Sequence, residues 1–302
     1  MQLYGLKIRE EIKVDTDLGK LIYLTSRREG YGVKERDVFA VTSKIVSKAE
    51  GRMYKLSDVK PSKKAKLLGK VFDKDARIVE LILQNSQSID LVIPVWKLAQ
   101  KYGHVFEEYF PNRDHIAQLL RSDPYIFMAN VNGLLLTDAG LDLSNAPRGY
   151  CTLPPKDPDL SAKRIRERIK ELSGKEVGVV ITDTEWKFDR LGTVDIALGS
   201  SGIEPITKKF GDKDLYGKPK YGGIDSTVDL IAAAANLLMK QTNEGIPVVI
   251  IRDLKYEVSE RGVKDILYKS KVKVSKKSMI FSMISMIWDN FKFRVISTLY
   301  YR

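Results

Sequence analysis

Val177-Gly178-Val179-Val180-Ile181-Thr182, followed by Asp183-Thr184-Glu185, is the stretch on which the fold turns. Its β-branched run is nearly continuous and lacks polar alternation, which is the pattern of a strand buried on both faces. The acid directly after the run suits Mg²⁺, although a helix cap is an equally ordinary use of such a residue. Working upstream, Ile165, Ile169 and Leu172 fall at i, i+4 and i+7, predicting a helix capped by Ser161 and stopped at Gly174. Before it, Leu153-Pro154-Pro155-Lys156-Asp157-Pro158-Asp159 reads as a rigid joint, because prolines fix the backbone and withhold donors. Downstream, Thr227 to Lys240 predicts an alanine-rich helix, and Ile246–Ile251 a second buried strand.

The first 150 residues alternate short apolar runs with amphipathic segments. Leu3–Ile8, Asp37–Thr42, Ile89–Val95, Tyr125–Val131 and Gly133–Leu136 read as strands, with Val131-Asn132-Gly133 as a hairpin turn. Asp17 to Arg27 and residues 60–86 read as helical. The charged, aromatic stretch 96–123 reads as an inserted helical excursion.

The chain has 302 residues, with 43% hydrophobic and 30% charged side chains, which excludes disorder, collagen and coiled coil. The net charge of +12 favours anionic partners. Half of it lies in residues 271–302, which hold seven basic side chains and one acid, Asp289. There Met279, Met283 and Met286 recur at helical spacing after Lys276-Lys277, predicting a basic amphipathic helix. Such a stripe is a docking face on the body or a dimer partner more often than a lipid surface, so membrane contact is not favoured. One cysteine, Cys151, permits no internal disulfide and reads as a packed small residue. Two histidines, His104 and His115, cannot build a histidine-rich zinc site, so a catalytic metal must use oxygen ligands, as Mg²⁺ and Mn²⁺ do. Trp96 and Trp288 read as packing residues. The first residues lack the pattern of a signal peptide and no apolar run is long enough to span a bilayer, so a cytoplasmic protein is expected.

Four polar clusters follow predicted strands or helices. They are Thr42-Ser43-Lys44-Ile45-Val46-Ser47-Lys48-Ala49-Glu50-Gly51, Thr137 to Asn145, Thr182 to Glu185, and Gln241-Thr242-Asn243-Glu244-Gly245. Lysines and hydroxyls after a strand suit phosphate, and the carboxylates Asp138 and Asp142 can hold a hard cation. Each cluster taken singly reads equally well as a solvated loop or turn. No Walker A loop is present.

In this order, the blocks VTSKIVSKAEGR, TDAGLDLSN, LPPKDPDLSA, ITDT, GDKDLYG and ANLLMKQTNEGIPVV resemble the coenzyme F-420-0:L-glutamate ligase family. The similarity runs from about residue 3 to residue 254 and is broken at 96–123. The resemblance implies a mixed α/β (α+β) fold, with mixed β-sheets flanked by helices in two closely joined subdomains. It implies a ligase domain over 1–254, leaving 255–302 as a C-terminal extension.

It also implies a GTP-dependent ligase, usually a homodimer, with Mg²⁺ or Mn²⁺ and optionally K⁺. In such an enzyme the γ-phosphate of GTP activates a carboxylate of the anionic deazaflavin precursor. The amine of L-glutamate then displaces phosphate, and a second glutamate can follow through a γ-link. Carried over by position, the implied metal ligands are Asp142, Asp183, Thr184 and Gln241. The implied nucleotide contacts are Leu6, Lys7, Ile8, Arg9, Ser43, Lys44, Lys48, Asn145, Leu237, Leu238, Met239, Lys240, Gln241, Thr242, Asn243 and Glu244. Lys48, Asp142 and Asp183 are the implied catalytic groups.

The chain departs from the pattern in two places. Glu185-Trp186-Lys187-Phe188-Asp189-Arg190 replaces a small polar residue followed by Gly-Arg, an aromatic and Arg, and Asp138 stands where asparagine is usual. A bulky Trp186 denies the backbone glycine-only angles, and Lys187 lacks the arginine fork. These departures leave room for a paralogous ligase with another acid or amine. A basic binding protein that keeps the fold is the remaining alternative, although no nucleic-acid motif appears and none is expected as a partner.

Overall fold

Two buried runs set the centre of the molecule. β2 (Val38–Thr42) and β8 (Gly178–Trp186) lie side by side and parallel, from Val38 opposite Gly178 to Thr42 opposite Thr182. The computed structural model describes residues 1–101, 113–187 and 192–267. Phe188, Asp189, Arg190, His104, Trp288 and the whole methionine-striped segment lie outside the described residues. Met1–Ile266 forms one compact unit.

In chain order the remaining strands are β1 (Gln2–Leu6), β3 (Met53–Lys55), β4 (Ser88–Ile93), β5 (Ile126–Val131), β6 (Leu134–Thr137), β7 (Tyr150–Thr152), β9 (Thr193–Ser201) and β10 (Val248–Arg252). The helices are α1 (Leu18–Arg28), α2 (Ser43–Ala49), α3 (Lys63–Val71), α4 (Ala76–Asn85), α5 (Val95–Lys101), α6 (Arg113–Ser122), α7 (Pro158–Ser173) and α8 (Thr227–Met239). The main sheet runs β1-β10-β2-β8-β9, antiparallel except at β2–β8. A second sheet runs β4-β5-β6, and β3 pairs with β7. The chain is therefore mixed α/β, as expected.

Three strands of the main sheet are apolar because both of their faces are covered. Every residue of β10 is buried, as are Val38 to Val41. Leu6, Phe39, Val41, Val179, Ile181 and Ile250 join Ile22 of α1 and Ala162, Ile165 and Ile169 of α7 in one core. A separate core under the second sheet holds Val79 and Ile82 of α4 with Phe127, Ala129 and Leu136. Leu198 of β9 belongs to this second core and links the two sheets.

Several boundaries differ from the sequence reading. Asp157, not Ser161, caps α7: its carboxylate accepts from Leu160 N at 3.0 Å, and Pro158 takes the first helical position. Proline favours that position because its missing N–H would be unpaired there in any case. Ser161 lies inside the helix, its hydroxyl bonded to Glu50. The helical reading over 60–86 breaks into α3 and α4 at Asp73, whose φ is +45°. The polar residues at 43–49 form a helix rather than a loop. β8 continues to Trp186, so Asp183, Thr184 and Glu185 belong to the strand and extended backbone accommodates Trp186.

The proline joint is part of the interior. Leu153, Pro154 and Pro155 are buried, and Arg52 Nε donates to Pro154 O at 2.9 Å. The joint crosses β9 at Gly199, where a Cβ would come within 2.3 Å of the Pro158 backbone. Only glycine permits that approach. The described flanks of the excursion are helical, and the Arg121 guanidinium of α6 lies 4.8 Å over the ring of Trp96 in α5.

Candidate active site

Past Thr182, β2 has ended and β8 pairs only with β9, from Asp183 opposite Ile196 to Trp186 opposite Thr193. This overhang, beyond the carboxyl ends of two parallel strands, forms one wall of a cavity of about 750 Å³. In α/β sheets ligands commonly bind at such ends. The other walls come from α2, the loop after β6 and the turn after α8.

Asp142 is fixed through its backbone. Its N–H donates to Thr152 O at 3.0 Å and its carbonyl accepts from Thr152 N at 2.9 Å. The carboxylate takes Ser144 N at 2.6 Å, Ser144 Oγ at 3.0 Å and the Lys44 ammonium at 2.5 Å. Lys44 also donates to Ser144 O at 2.8 Å, and Lys48, one helical turn on, to Asn145 O at 2.7 Å. Asn145 holds a left-handed φ of +47° and donates through Nδ2 to Thr242 O at 3.1 Å. The loop after β6 is thereby clamped between the lysines of α2 and the turn after α8.

Asp183 accepts from Ser43 Oγ at 2.8 Å and from Thr184 N at 2.9 Å. Desolvation pushes its carboxyl up to about 7, against the lowering effect of those two donors, with Asp142 and Glu185 adding to the rise. Lys48 is lowered, first by burial and then by Lys44. Glu185 accepts from Thr137 N and from Thr137 Oγ1, the latter at 2.8 Å, and burial raises it too. Carboxylates held partly out of water beside two ammonium groups suit a hard cation and phosphate oxygens.

Most residues of the expected site reach this cavity. Ile8, Ser43, Lys44, Lys48, Asp142, Asn145, Asp183, Thr184 and Met239 through Glu244 all line it. Leu6 does not, being fully buried in the core, and Leu237 is 74% exposed on the outer face of α8. Lys7, Arg9 and Leu238 are not among the lining residues either. Ile8 is brought in because its N–H donates to Gly245 O at 3.2 Å. His115 is exposed and absent from the cavity, and Cys151 is fully buried, with burial pushing its thiol up to about 11.

Asp138 does not join Asp142 as a cation ligand. It accepts from the buried Lys74 at 2.9 Å, and Lys74 also reaches Asp123 at 2.7 Å. The extra negative charge is thus answered locally by a lysine. Among the described residues no group of three or more His, Cys, Asp or Glu side chains converges to hold a metal ion. A nucleotide-borne Mg²⁺ needs no such cage, because one or two carboxylates suffice where phosphates supply the remaining oxygens. Asp142, Asp183, the Thr184 hydroxyl and Gln241 are oxygen donors of that kind.

Sequence reasoning missed Glu10, Glu11 and Asp195, which also line the cavity. Asp195 lies within β9, which sequence reasoning did not mark as a strand because Asp195, Gly199, Ser200 and Ser201 deny it the continuous apolar run of its neighbours.

The chain matches the F420-0:gamma-glutamyl ligase family over residues 5–253. It belongs to that family. Two similar proteins are the coenzyme F420:L-glutamate ligases of Methanopyrus kandleri and Archaeoglobus fulgidus, each 36% identical. Their alignments cover 85% and 86% of this chain and 89% of each relative. The coenzyme F420:L-glutamate ligase of Methanothermobacter thermautotrophicus is 32% identical over 88% of this chain and 95% of its own length. As a member of the F420-0:gamma-glutamyl ligase family, the chain is a ligase that forms carbon–nitrogen bonds. No helix among its described residues is long and apolar enough to cross a membrane.

Proposed function

We propose that this chain joins L-glutamate to the deazaflavin precursor F-420-0, using GTP and a divalent cation. The observation that carries the proposal is the meeting of α2, the loop after β6, the end of β8 and the turn after α8 around one cavity. Lys44 and Lys48, the Asp142 and Asp183 carboxylates and the hydroxyls of Ser43 and Thr184 come together there. The names of the relatives support glutamate as the amine and an F420-type acceptor.

The chemistry divides into two balanced steps. An oxygen of the acceptor carboxylate attacks the γ-phosphorus of GTP, and the bond to the β-phosphate oxygen breaks, giving an acyl phosphate and GDP. The glutamate nitrogen then attacks the acyl carbon. Phosphate leaves with the C–O bonding pair, the nitrogen loses a proton, and an amide remains. A second glutamate added through its amine to the first one's γ-carboxyl would repeat the cycle.

Lys44 and Lys48 would absorb charge on the transferring phosphoryl group, at little reorganisation cost because backbone carbonyls already hold both. Ser43 and the backbone of Thr184 hold the Asp183 carboxylate in position. Asp142, Asp183, Thr184 and Gln241 would hold Mg²⁺ or Mn²⁺, which when bound would supply positive charge to offset that of the phosphates. Neither step needs a protein nucleophile, so the inert Cys151 is consistent with this route. A homodimer and K⁺ dependence remain part of the proposal by family membership.

A second reading, a paralogous ligase with a different acid or amine, draws on Glu185. Its carboxylate lines the cavity at the position where the family pattern is small and polar. One experiment separates the two: purified protein with GTP, Mn²⁺, F-420-0 and L-glutamate, read by mass spectrometry. Glutamylated product with stoichiometric GDP supports the first reading. GTP binding with no glutamylated product overturns it in favour of the second.

A further inference from the structure

Asp195 has no role in the reading above, yet it lies at the cavity and is only 3% exposed. It sits on β9 directly across from Thr184 of β8, so the two side chains emerge on the same face of the hairpin. Thr184 Oγ1 donates to Asp195 Oδ1 at 2.6 Å. Asn236 Nδ2, from α8, donates to the same oxygen, also at 2.6 Å. Asp229, two turns earlier on α8, accepts from Ala197 N at 2.8 Å and ties that helix to β9 two residues beyond Asp195.

A threonine hydroxyl has one proton and two lone pairs. Free to rotate, it can offer a cation its proton instead of a lone pair. A carboxylate accepts only, so the short bond to Asp195 commits the Thr184 proton to β9 and leaves the oxygen's lone pairs to face elsewhere. Asn236 fixes the accepting oxygen, so the hydroxyl has a single preferred orientation.

We propose that Asp195, held by Asn236, is a positioning residue that orients the Thr184 hydroxyl so that its lone pair is presented to a divalent cation in the cavity. The inference rests on the reading of Thr184 as a cation ligand. Groups that orient ligands from behind are typically worth 10- to 100-fold in metal affinity.

The test is a Mn²⁺ titration of the full-length protein in the presence of GDP, followed by the electron paramagnetic resonance of free Mn²⁺. Asp195→Ala is expected to weaken Mn²⁺ binding by about 10-fold or more. Asp195→Asn, whose carbonyl oxygen can still accept from Thr184, is expected to stay within about 3-fold of wild type and serve as the conservative rescue. Thr184→Val is expected to lose as much as Asp195→Ala, and the double variant no more than either, because both remove one interaction. Thermal melts by circular dichroism accompany each titration, and Thr184→Val reports on the same interaction with the aspartate intact. If wild type binds Mn²⁺ while Asp195→Ala binds it equally well, this inference fails and the cation reading stands. Additive losses in the double variant likewise overturn it. A wild-type protein that takes up no Mn²⁺ with GDP overturns the cation reading and this inference together.

Discussion

Lys44 shows how much of the site rests on single side chains. Its ammonium lies between the Asp142 carboxylate and the Ser144 carbonyl, so it both neutralises an acid and presents charge to the cavity. Lys44→Ala should lower kcat for GTP-dependent ligation by about 10²-fold, the usual scale for losing one preorganised charge donor. The pair is only partly buried, so its loss should cost less than about 1 kcal/mol of stability. Lys44→Arg should recover part of the rate, since the charge returns on a guanidinium of different shape. Steady-state turnover beside a thermal melt checks both, and an unchanged kcat in Lys44→Ala would remove the lysine from the mechanism.

At the scale of elements, buried charges hold the segments that shape the cavity. Lys74 is almost fully buried between Asp123, at the end of α6, and Asp138, at the head of the loop that carries Asp142. Asp138 also accepts from Phe127 N of β5 at 2.9 Å. Lys74→Met leaves the largely buried Asp138 and the half-exposed Asp123 without their cation and should cost about 3 kcal/mol in urea unfolding. Asp138→Asn should cost far less, because Asp123 still answers the lysine.

A second case is Glu80 of α4, which accepts from Ser62 N and Gln84 Nε2, each at 2.8 Å, and so ties α4 to the cap of α3. The Ser62 bonds, first, and the Gln84 bond hold its carboxyl below the ordinary value. An acid lowered in the folded state adds stability above its unfolded value and loses it as pH falls through the folded one. Glu80→Gln should therefore be about 1–2 kcal/mol less stable than wild type at pH 7, with the gap closing as pH falls below about 4.5. Urea midpoints at both pH values measure it, and a gap independent of pH would rule out the carboxylate as its source.

These elements also show where the sequence was readable. Val38–Val41, Val179–Ile181 and Val248–Ile251 are continuous apolar runs, and a strand covered on both faces can hardly look otherwise. β9 is buried from Ala197 on but carries Asp195 and Gly199, which are explained only by groups outside the strand, Thr184 and Asn236 for the acid and the Pro158 backbone for the glycine. Ser161 resembles a cap locally, and only the competing Asp157-Pro158 pair shows that the helix starts earlier.

For the whole molecule, the family match and the compact unit both stop short of the basic segment. The family match covers residues 5–253 and the compact unit closes at Ile266, while half of the net charge of +12 lies in residues 271–302. From the residue patterns alone the site was legible only as separate polar blocks, and the resemblance to the ligase family is what joined them. Contacts such as Ser43–Asp183 and Lys48–Asn145 join residues 140 and 97 positions apart, and no local pattern records them. Every described residue that lines the cavity lies between Ile8 and Pro247. Deleting 271–302 should therefore leave the GTP KM and the glutamylation rate within about 2-fold of the full chain. The same deletion should shorten retention on a phosphate resin, because non-specific attraction to polyanions scales with the exposed cations that remain. Liposome sedimentation of both proteins adds the remaining arm: equal binding removes any membrane role for the segment. A truncated protein that melts normally but no longer ligates would place part of the active site in that segment, and the basic charge would then belong to the chemistry after all.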